Sequence, residues 1–385
     1  MIILLLSIAL IIFGTWLFMQ QPQFGKLPGG ERLKGIKSSP HYKDGQFRNI
    51  HFTPSLAEGV SMFTVIRKFF FEKNKNNKPP AILPSKKTDL LNLDPAKNIL
   101  VWFGHSSYFM FVDGKTILVD PVFSGAASPV SFTTKSFPGS DVYSTEDLPE
   151  IDYLFISHDH WDHLDYKTIV KLKTKVKQVI TSLGTAAHLE HWGYDKNRII
   201  EKGWDEEIML DKGFIVHTTT GRHFAGRAFK RNRSAWSSFV LQTPSMKLFL
   251  GGDSGYDTHF AEIGNKYGPF DLAILECGQY NAYWKYIHMM PEETVQAGID
   301  LKAKIILPVH WAKFSLSIHD WDEPIKRITV EAEKKGMPLI HPMIGEKIDL
   351  NNPIKSKRWW EKINQEPYRA DKAKPIFKKE VASLR

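Results

Sequence analysis

Cysteine is almost missing from this chain: Cys277 is the single one among 385 residues. An internal disulfide is therefore excluded, and so is any centre that holds its metal through several thiolates. Charge is missing from the first 19 residues, MIILLLSIALIIFGTWLFM, which run almost unbroken apolar. No segment recurs with a period of roughly 20–50 residues, which argues against a solenoid. Apolar residues are not scarce: they make up 42% of the chain, with 12% aromatic, enough for a sizeable core. Intrinsic disorder is thereby excluded as the main state. At roughly 100–200 residues per domain, the length permits two domains or one large α/β unit.

The formal charge is +9, but it is unevenly placed. Residues 20–50 carry +4, 51–66 carry −1 through Glu58, 67–87 carry +6 and 355–385 carry +6, which leaves −6 on 88–354. The basicity belongs to the ends, and those ends hold no recognisable nucleic-acid motif, so a membrane surface is the expected partner and nucleic acid is not. At 1.5 Å per residue the apolar N-terminus approaches the ~30 Å of a bilayer core. A cleaved signal would want a basic start and small residues at the cut, whereas Thr15-Trp16-Leu17-Phe18 is bulky. Lys26, Arg32, Lys34 and Lys37 follow the span and no basic side chain precedes it. The expectation is a single-pass anchor over 1–20 with the remainder of the protein in the cytoplasm. Residues 21–95 read as a basic linker and N-terminal extension, with a solvated loop over Lys73–Pro80, and 351–385 as a basic tail.

The pattern changes near residue 96. Ile99–Phe103, Tyr108–Val112 and Thr116–Val119 are short β-rich runs broken by Gly-His-Ser and Asp-Gly. Further strands are expected at Tyr153–Ser157, Phe214–Thr219, Ser238–Gln242, Lys247–Leu250, Leu272–Leu275 and Ile305–Pro308. Helices are expected at Tyr166–Lys177, Thr185–Trp192, Thr258–Lys266, Pro291–Lys302 and Glu323–Lys335. This alternation predicts sheets covered by helices over 96–350.

Polar residues follow the strands: His158-Asp159-His160-Trp161-Asp162-His163, then His223, Asp253 and His310. Strand ends that converge on one rim are where a layered α/β fold builds its site. Imidazole and carboxylate donors suit Zn²⁺, with Mn²⁺ or Fe²⁺ as substitutes. Four potential ligands in six residues exceed what one open catalytic ion needs, so two ions about 3.5–4 Å apart fit better.

The hexad His158–His163 resembles the signature of the metallo-β-lactamase superfamily, with His223, Asp253 and His310 in the order of its remaining ligands. Over about 97–345, Trp102–Ser107, Asp120–Ser124, Ile156-Ser157-His158, Gly251–Tyr256 and Gly268–Leu272 are similar to the N-acyl-phosphatidylethanolamine-hydrolysing phospholipases D. That resemblance implies an αββα sandwich and two zinc ions. One ion would take His158, His160 and His223, the other Asp162, His163 and His310, with Asp253 between them. It implies a phospholipase D-type phosphodiesterase in which a metal-bound hydroxide attacks phosphorus, with Asp162 and His288 as catalytic residues and N-acyl-phosphatidylethanolamine-like phospholipids as substrate. His288, ahead of Pro291, would bind phosphate or protonate the leaving alkoxide.

Other residues carry two readings. Asp120 resembles a carboxylate that orients a ligand imidazole, yet before Pro121 it is also an ordinary turn residue. His105 reads as a satisfied structural histidine. Gln279 and Tyr280 are expected to bind substrate at the pocket mouth, while Trp236 and Trp284 are expected in the core. His188, His191, His217, His259, His319 and His341 show no ligand pattern. The rival functions are a lactonase or phosphatase of a soluble metabolite, and a non-enzymatic membrane-binding protein. A homodimer is left open.

Overall fold

The computed structural model describes residues 1–71, 76–353 and 357–365. Lys73–Lys75 of the expected loop and most of the expected tail lie outside the described residues. In chain order the elements begin with α1 (Ile2–Met19), α2 (Gly30–Lys37), a small hairpin of β1 (Tyr42–Lys43) and β2 (Gln46–Phe47), and α3 (Met62–Phe71). The meander β3 (Ile99–Trp102), β4 (Tyr108–Val112) and β5 (Lys115–Val119) leads to β6 (Ile151–Ile156), α4 (Tyr166–Leu172), β7 (Val176–Ser182), α5 (Ala186–His191) and β8 (Ile199–Lys202). Then come β9 (Glu207–Met209), β10 (Ile215–Thr219), β11 (Ser238–Gln242), β12 (Lys247–Leu250), α6 (His259–Tyr267) and β13 (Leu272–Glu276). The last elements are α7 (Pro291–Asp300), β14 (Ile306–Val309), α8 (Glu323–Lys335) and β15 (Lys347–Asp349).

Two sheets result. One runs β15-β3-β4-β5-β6-β7-β8 and the other β14-β13-β12-β11-β10-β9. In the first, β5, β6, β7 and β8 pair in parallel and the hairpin side is antiparallel. In the second, β12, β13 and β14 are the parallel part. Period-two alternation sorts the side chains. Leu100 and Trp102 point inward and share a core with Phe239, Leu241, Leu248, Leu250 and Ile274 of the facing sheet. Ile99, Val101 and Phe103 point outward against Ile169, Leu172 and Leu189 from α4 and α5. On the far side Phe249, Ala273 and Leu275 meet Phe260 of α6 and Ala297 of α7. The layers are therefore helix, sheet, sheet, helix, and each large side chain so buried contributes about 1.5–3 kcal/mol.

Two expectations need correction. The helix expected over Tyr166–Lys177 stops at Leu172, and Val176–Ser182 becomes a strand between β6 and β8. Its β-branched Val176, Val179, Ile180 and Thr181 suit a pleated position buried on both faces. Nor is the 21–95 segment only a solvated linker. Ile36, Tyr42 and Phe47 pack with Trp204, Ala225 and Trp236 of the body. Arg32 grips Glu190 through two nitrogens at 2.6 and 3.0 Å and also pairs with Glu201. By contrast α1 buries none of its residues, and its mean hydropathy is 2.7 over 18 residues. It is long and apolar enough to cross a membrane.

Candidate metal centre

Each candidate donor stands just beyond a strand. β6 delivers Ser157–His163, and the carbonyl of His160 accepts the amides of His163 (3.1 Å) and Leu164 (2.8 Å). That turn points His158, His160, Asp162 and His163 to one side. Asp159 points away and is held by Gly226 N (2.6 Å), Ser234 Oγ (2.7 Å) and His188 Nε2 (3.2 Å). β10 leads to His223, and β12 leads through Gly251-Gly252 to Asp253. Gly252 sits at φ +61°, with its missing Cβ 3.0 Å from Ser237 O, so the chain approaches the hexad more closely than an ordinary residue could. β14 leads to His310 at φ +69°; its amide donates to His105 O at 2.9 Å, and the amide of His105, at φ +52°, donates to Trp311 O at 2.9 Å. Backbone strain of this kind is sustained where surrounding structure over-determines it, commonly at functional sites.

The donor atoms fall into groups. His158, His160, His223 and Asp253 form one, and His105, Asp162, His163 and His310 a second. A third, Asp253, His288 and His310, overlaps both. Within the first, His158 Nε2 lies 2.9 Å from His160 Nδ1, which lies 3.3 Å from His223 Nε2. Asp253 Oδ2 is 3.8 Å from His158 Nε2 and 3.7 Å from His223 Nε2. Across to the second group, Asp253 Oδ2 is 3.1 Å from His163 Nε2, which is 3.6 Å from Asp162 Oδ2. Donors bonded at about 2.0–2.2 Å to one tetrahedral ion stand roughly 3.3–3.6 Å apart. Two of the spacings fall in that range and the others lie within about 0.4 Å of it, the shortest being a direct contact between His158 and His160. His163 Nε2 and Asp253 Oδ1, which face the donors, are buried and make no hydrogen bond. Buried polar atoms are rarely left so, and a metal is one remedy. The clusters are able to bind metal ions.

Behind the donors stand orienting partners. Asp120 Oδ2 accepts from His163 Nδ1 (2.8 Å) and Ser157 Oγ (2.6 Å), while Oδ1 takes Ser157 N (2.9 Å). Of its two readings, the orienting carboxylate is the one the geometry has. His223 Nδ1 donates to Ile287 O (2.8 Å), and its backbone is pinned by Asn49, which donates to His223 O (2.8 Å) and accepts from His223 N (3.1 Å). Ser106 Oγ lies 2.8 Å from His310 Nδ1.

The electrostatics separate the groups. Burial, aided by neighbouring imidazoles, holds His158 and His223 well below the usual histidine range and pushes His160 down to about 4. Burial opposes protonation of His163 as well, but Asp253, Asp162 and Asp120 outweigh it and raise that ring well above. Burial would neutralise Asp162 and Asp253, yet His163 and its neighbours keep both carboxylates low.

Some expected residues are placed otherwise. His105 is no ordinary structural histidine: its Nε2 donates to Asp162 Oδ2 at 2.8 Å, inside the second group. The reading of Gln279 and Tyr280 as substrate contacts is corrected. The Gln279 amide is spent on His310 O (3.3 Å), Phe314 O (3.1 Å) and Leu316 N (2.8 Å), and the Tyr280 hydroxyl on Glu323 (2.8 Å). Trp236 is core, as expected, and Trp284 is half-buried with its indole on Gln279 O. Asn49 and Glu276 were missed. A charged residue at the end of the apolar run Leu272–Leu275 was the available signal for Glu276, whereas nothing in its neighbourhood marks Asn49.

A family model described as a β-lactamase superfamily domain matches residues 115–311. An uncharacterised protein of Mycobacterium tuberculosis is 34% identical over 335 residues, covering 84% of this chain and 88% of that protein. N-acyl-phosphatidylethanolamine-hydrolyzing phospholipase D 1 of Caenorhabditis elegans is 28% identical over 264 residues, covering 62% and 74%. The structure of Igni18, a metallo hydrolase from Ignicoccus hospitalis, matches with a TM-score of 0.51 at 20% identity, over 66% of this chain and 97% of that one.

Proposed function

The chain belongs to the metallo-β-lactamase superfamily and is a metal-dependent hydrolase, and from that premise we propose a phospholipase D-type phosphodiesterase that works at a membrane on N-acyl-phosphatidylethanolamine-like lipids with two zinc ions. His158, His160 and His223 would hold one ion and Asp162, His163 and His310 the other, with Asp253 between them. The thiolate-free donor set suits zinc. When bound, the pair supplies activated water at neutral pH and offsets charge on the phosphoryl oxygens. Asp162, spent as a donor and held by His105, takes no part as a free base. His288, 12% exposed, has its ring 5.0 Å from that of His223 and 5.3 Å from that of His310. In this reading it would protonate the leaving headgroup oxygen.

The observation that carries the lipid reading is the tie between α1 and the hexad. Phe18 at the end of α1 packs edge-on against Phe24 (5.2 Å), and Phe24 packs edge-on against Trp161 (5.2 Å), which lies between His160 and Asp162. An anchored α1 therefore holds the metal loop beside the bilayer. Lys26 and Lys37 then favour the cytoplasmic leaflet and anionic headgroups, at about 1 kcal/mol for each residue near the surface, while Lys34 is paired with Glu31. Arg32 is already committed to Glu190 and Glu201.

The test is turnover by the full chain of N-acyl-phosphatidylethanolamine vesicles against soluble lactones and phosphomonoesters. Release of phosphatidic acid and N-acylethanolamine is expected, with loss on vesicles but not on detergent-dispersed lipid when 1–20 are removed. Turnover of the soluble compounds alone overturns the reading.

A further inference from the structure

One buried acid near the centre has no part in the scheme above. Strand β13 is buried along its whole length and ends in Glu276, which is 0% exposed. Glu276 Oε1 accepts the amide of Met289 at 2.7 Å and faces His288 Nδ1 at 3.4 Å, while Oε2 makes no hydrogen bond. The carbonyl of Glu276 is taken by Thr294 Oγ1 (2.9 Å) at the start of α7, so the strand end and the turn that carries His288 are tied together. Burying a carboxyl group with one of its two oxygens unpartnered is costly even when the other is hydrogen-bonded. Its position is the end of a central strand that an apolar residue would fill.

The rest of the site uses one device repeatedly. An acceptor behind the ring takes the Nδ1 proton and leaves Nε2 to face the chemistry: Asp120 does this for His163 and Ile287 O for His223. Glu276 stands behind His288 on the same side, at 3.4 Å, where His288 Nδ1 is buried and makes no other hydrogen bond and a small ring movement would close the contact. Yet His288 belongs to neither of the two four-residue donor groups.

We propose that Glu276 is a positioning residue that holds His288 through Nδ1, so that Nε2–H faces the oxygen leaving phosphorus. This rests on the phosphodiesterase reading. In the step, the bond from phosphorus to the headgroup oxygen breaks, that oxygen keeps the electron pair, and it takes the Nε2 proton. Water forms the new bond to phosphorus, and the proton it sheds replaces the one His288 gave. Glu276 exchanges no proton.

The experiment compares E276Q with the unchanged full chain on two detergent-dispersed phosphodiesters that differ only in leaving group. These are N-acyl-phosphatidylethanolamine, whose alkoxide needs a proton, and phosphatidyl-p-nitrophenol, whose phenolate does not. The expected result is a kcat lowered about 10–100-fold on the first and under about 3-fold on the second, with KM and metal content unchanged. In a His288→Gln background the E276Q effect should vanish. Equal losses on both substrates, a loss of bound metal, or no loss each overturn the proposal. E276D serves if E276Q does not fold. Nitrogen-15 spectra of histidine-labelled protein give an independent reading: the neutral ring left when His288 loses its Nε2 proton should be a fixed Nδ1–H tautomer, which becomes mixed in E276Q. If neither lipid is turned over by the unchanged chain, the phosphodiesterase reading fails, while an unaltered tautomer in E276Q would show that the pairing itself is wrong.

Discussion

The two donor groups are near-equals in composition and differ in what stands behind them. His158 and His223 lean on neutral partners, the Ser157 hydroxyl and the Ile287 carbonyl. In the other group His163 leans on the Asp120 carboxylate, and Asp162 is itself held by His105. Burial keeps the imidazoles of the first group neutral, and those of His310 and His105 in the second as well, so that His163 alone is held protonated by the carboxylates around it. The second gathers negative charge, which attracts a cation strongly but also attracts protons. Asp253 is the seam, within 3.1 Å of His163 Nε2 and 3.8 Å of His158 Nε2.

The largest effect should follow from cutting that seam. Asp253→Asn removes the one charge both groups share. Activity should fall at least about 10³-fold, because groups that act as a unit fail together. Metal analysis should find well under two ions per chain. Two ions retained with activity intact would mean that the groups are independent.

Asp120→Asn probes the second group alone. The amide oxygen can still accept from His163 Nδ1, so the charge is lost while that contact is kept, at the cost of the bond from Ser157 N. Metal affinity at one of the two positions should weaken about 10–100-fold, with the other unchanged. Equal weakening at both, seen in a two-site titration with a metal-sensitive dye, would erase the distinction between the groups.

Acid should separate them as well. His163 sits well above the usual histidine range, so its proton competes with a cation from a higher pH. His158 and His223 sit well below it and compete only further down. As pH falls, the ion at the His163 side should leave first, its affinity dropping about tenfold per unit for each proton displaced. Stepwise dialysis followed by metal analysis checks the order; simultaneous loss would contradict it.

What could be read in the sequence follows the same division. The hexad is contiguous and the strand runs are local patterns, so sheets covered by helices and seven candidate donors were visible, while the four-layer order came only with the family resemblance. Orienting partners come from distant chain: His105 is 57 residues from Asp162, and Asn49 is 174 from His223. No local spacing announces such pairs. Gln279 misled for the opposite reason, since a polar side chain after a strand end looks like a site residue when its partners are backbone groups brought in by folding. The strand at Val176–Ser182 was hidden because Lys175 and Lys177 gave it the polar look of a helix end.

The smallest effect should come from Asn49, which belongs to the N-terminal extension and touches the first group only through the backbone of His223. Asn49→Ala removes two hydrogen bonds, at 2.8 and 3.1 Å. Each contributes about 1 kcal/mol, and part of that is recovered by water at this half-buried position. A weakening of about fivefold in metal affinity is expected at the first position, with none at the second. Because Asn49 has no charge and no contact with a donor atom, any loss must travel through the loop that carries His223. If the change instead weakens the His163 side, the extension braces the whole rim, and the contrast between a neutral and a charged half would have to be redrawn around the segment that was expected to be only a linker.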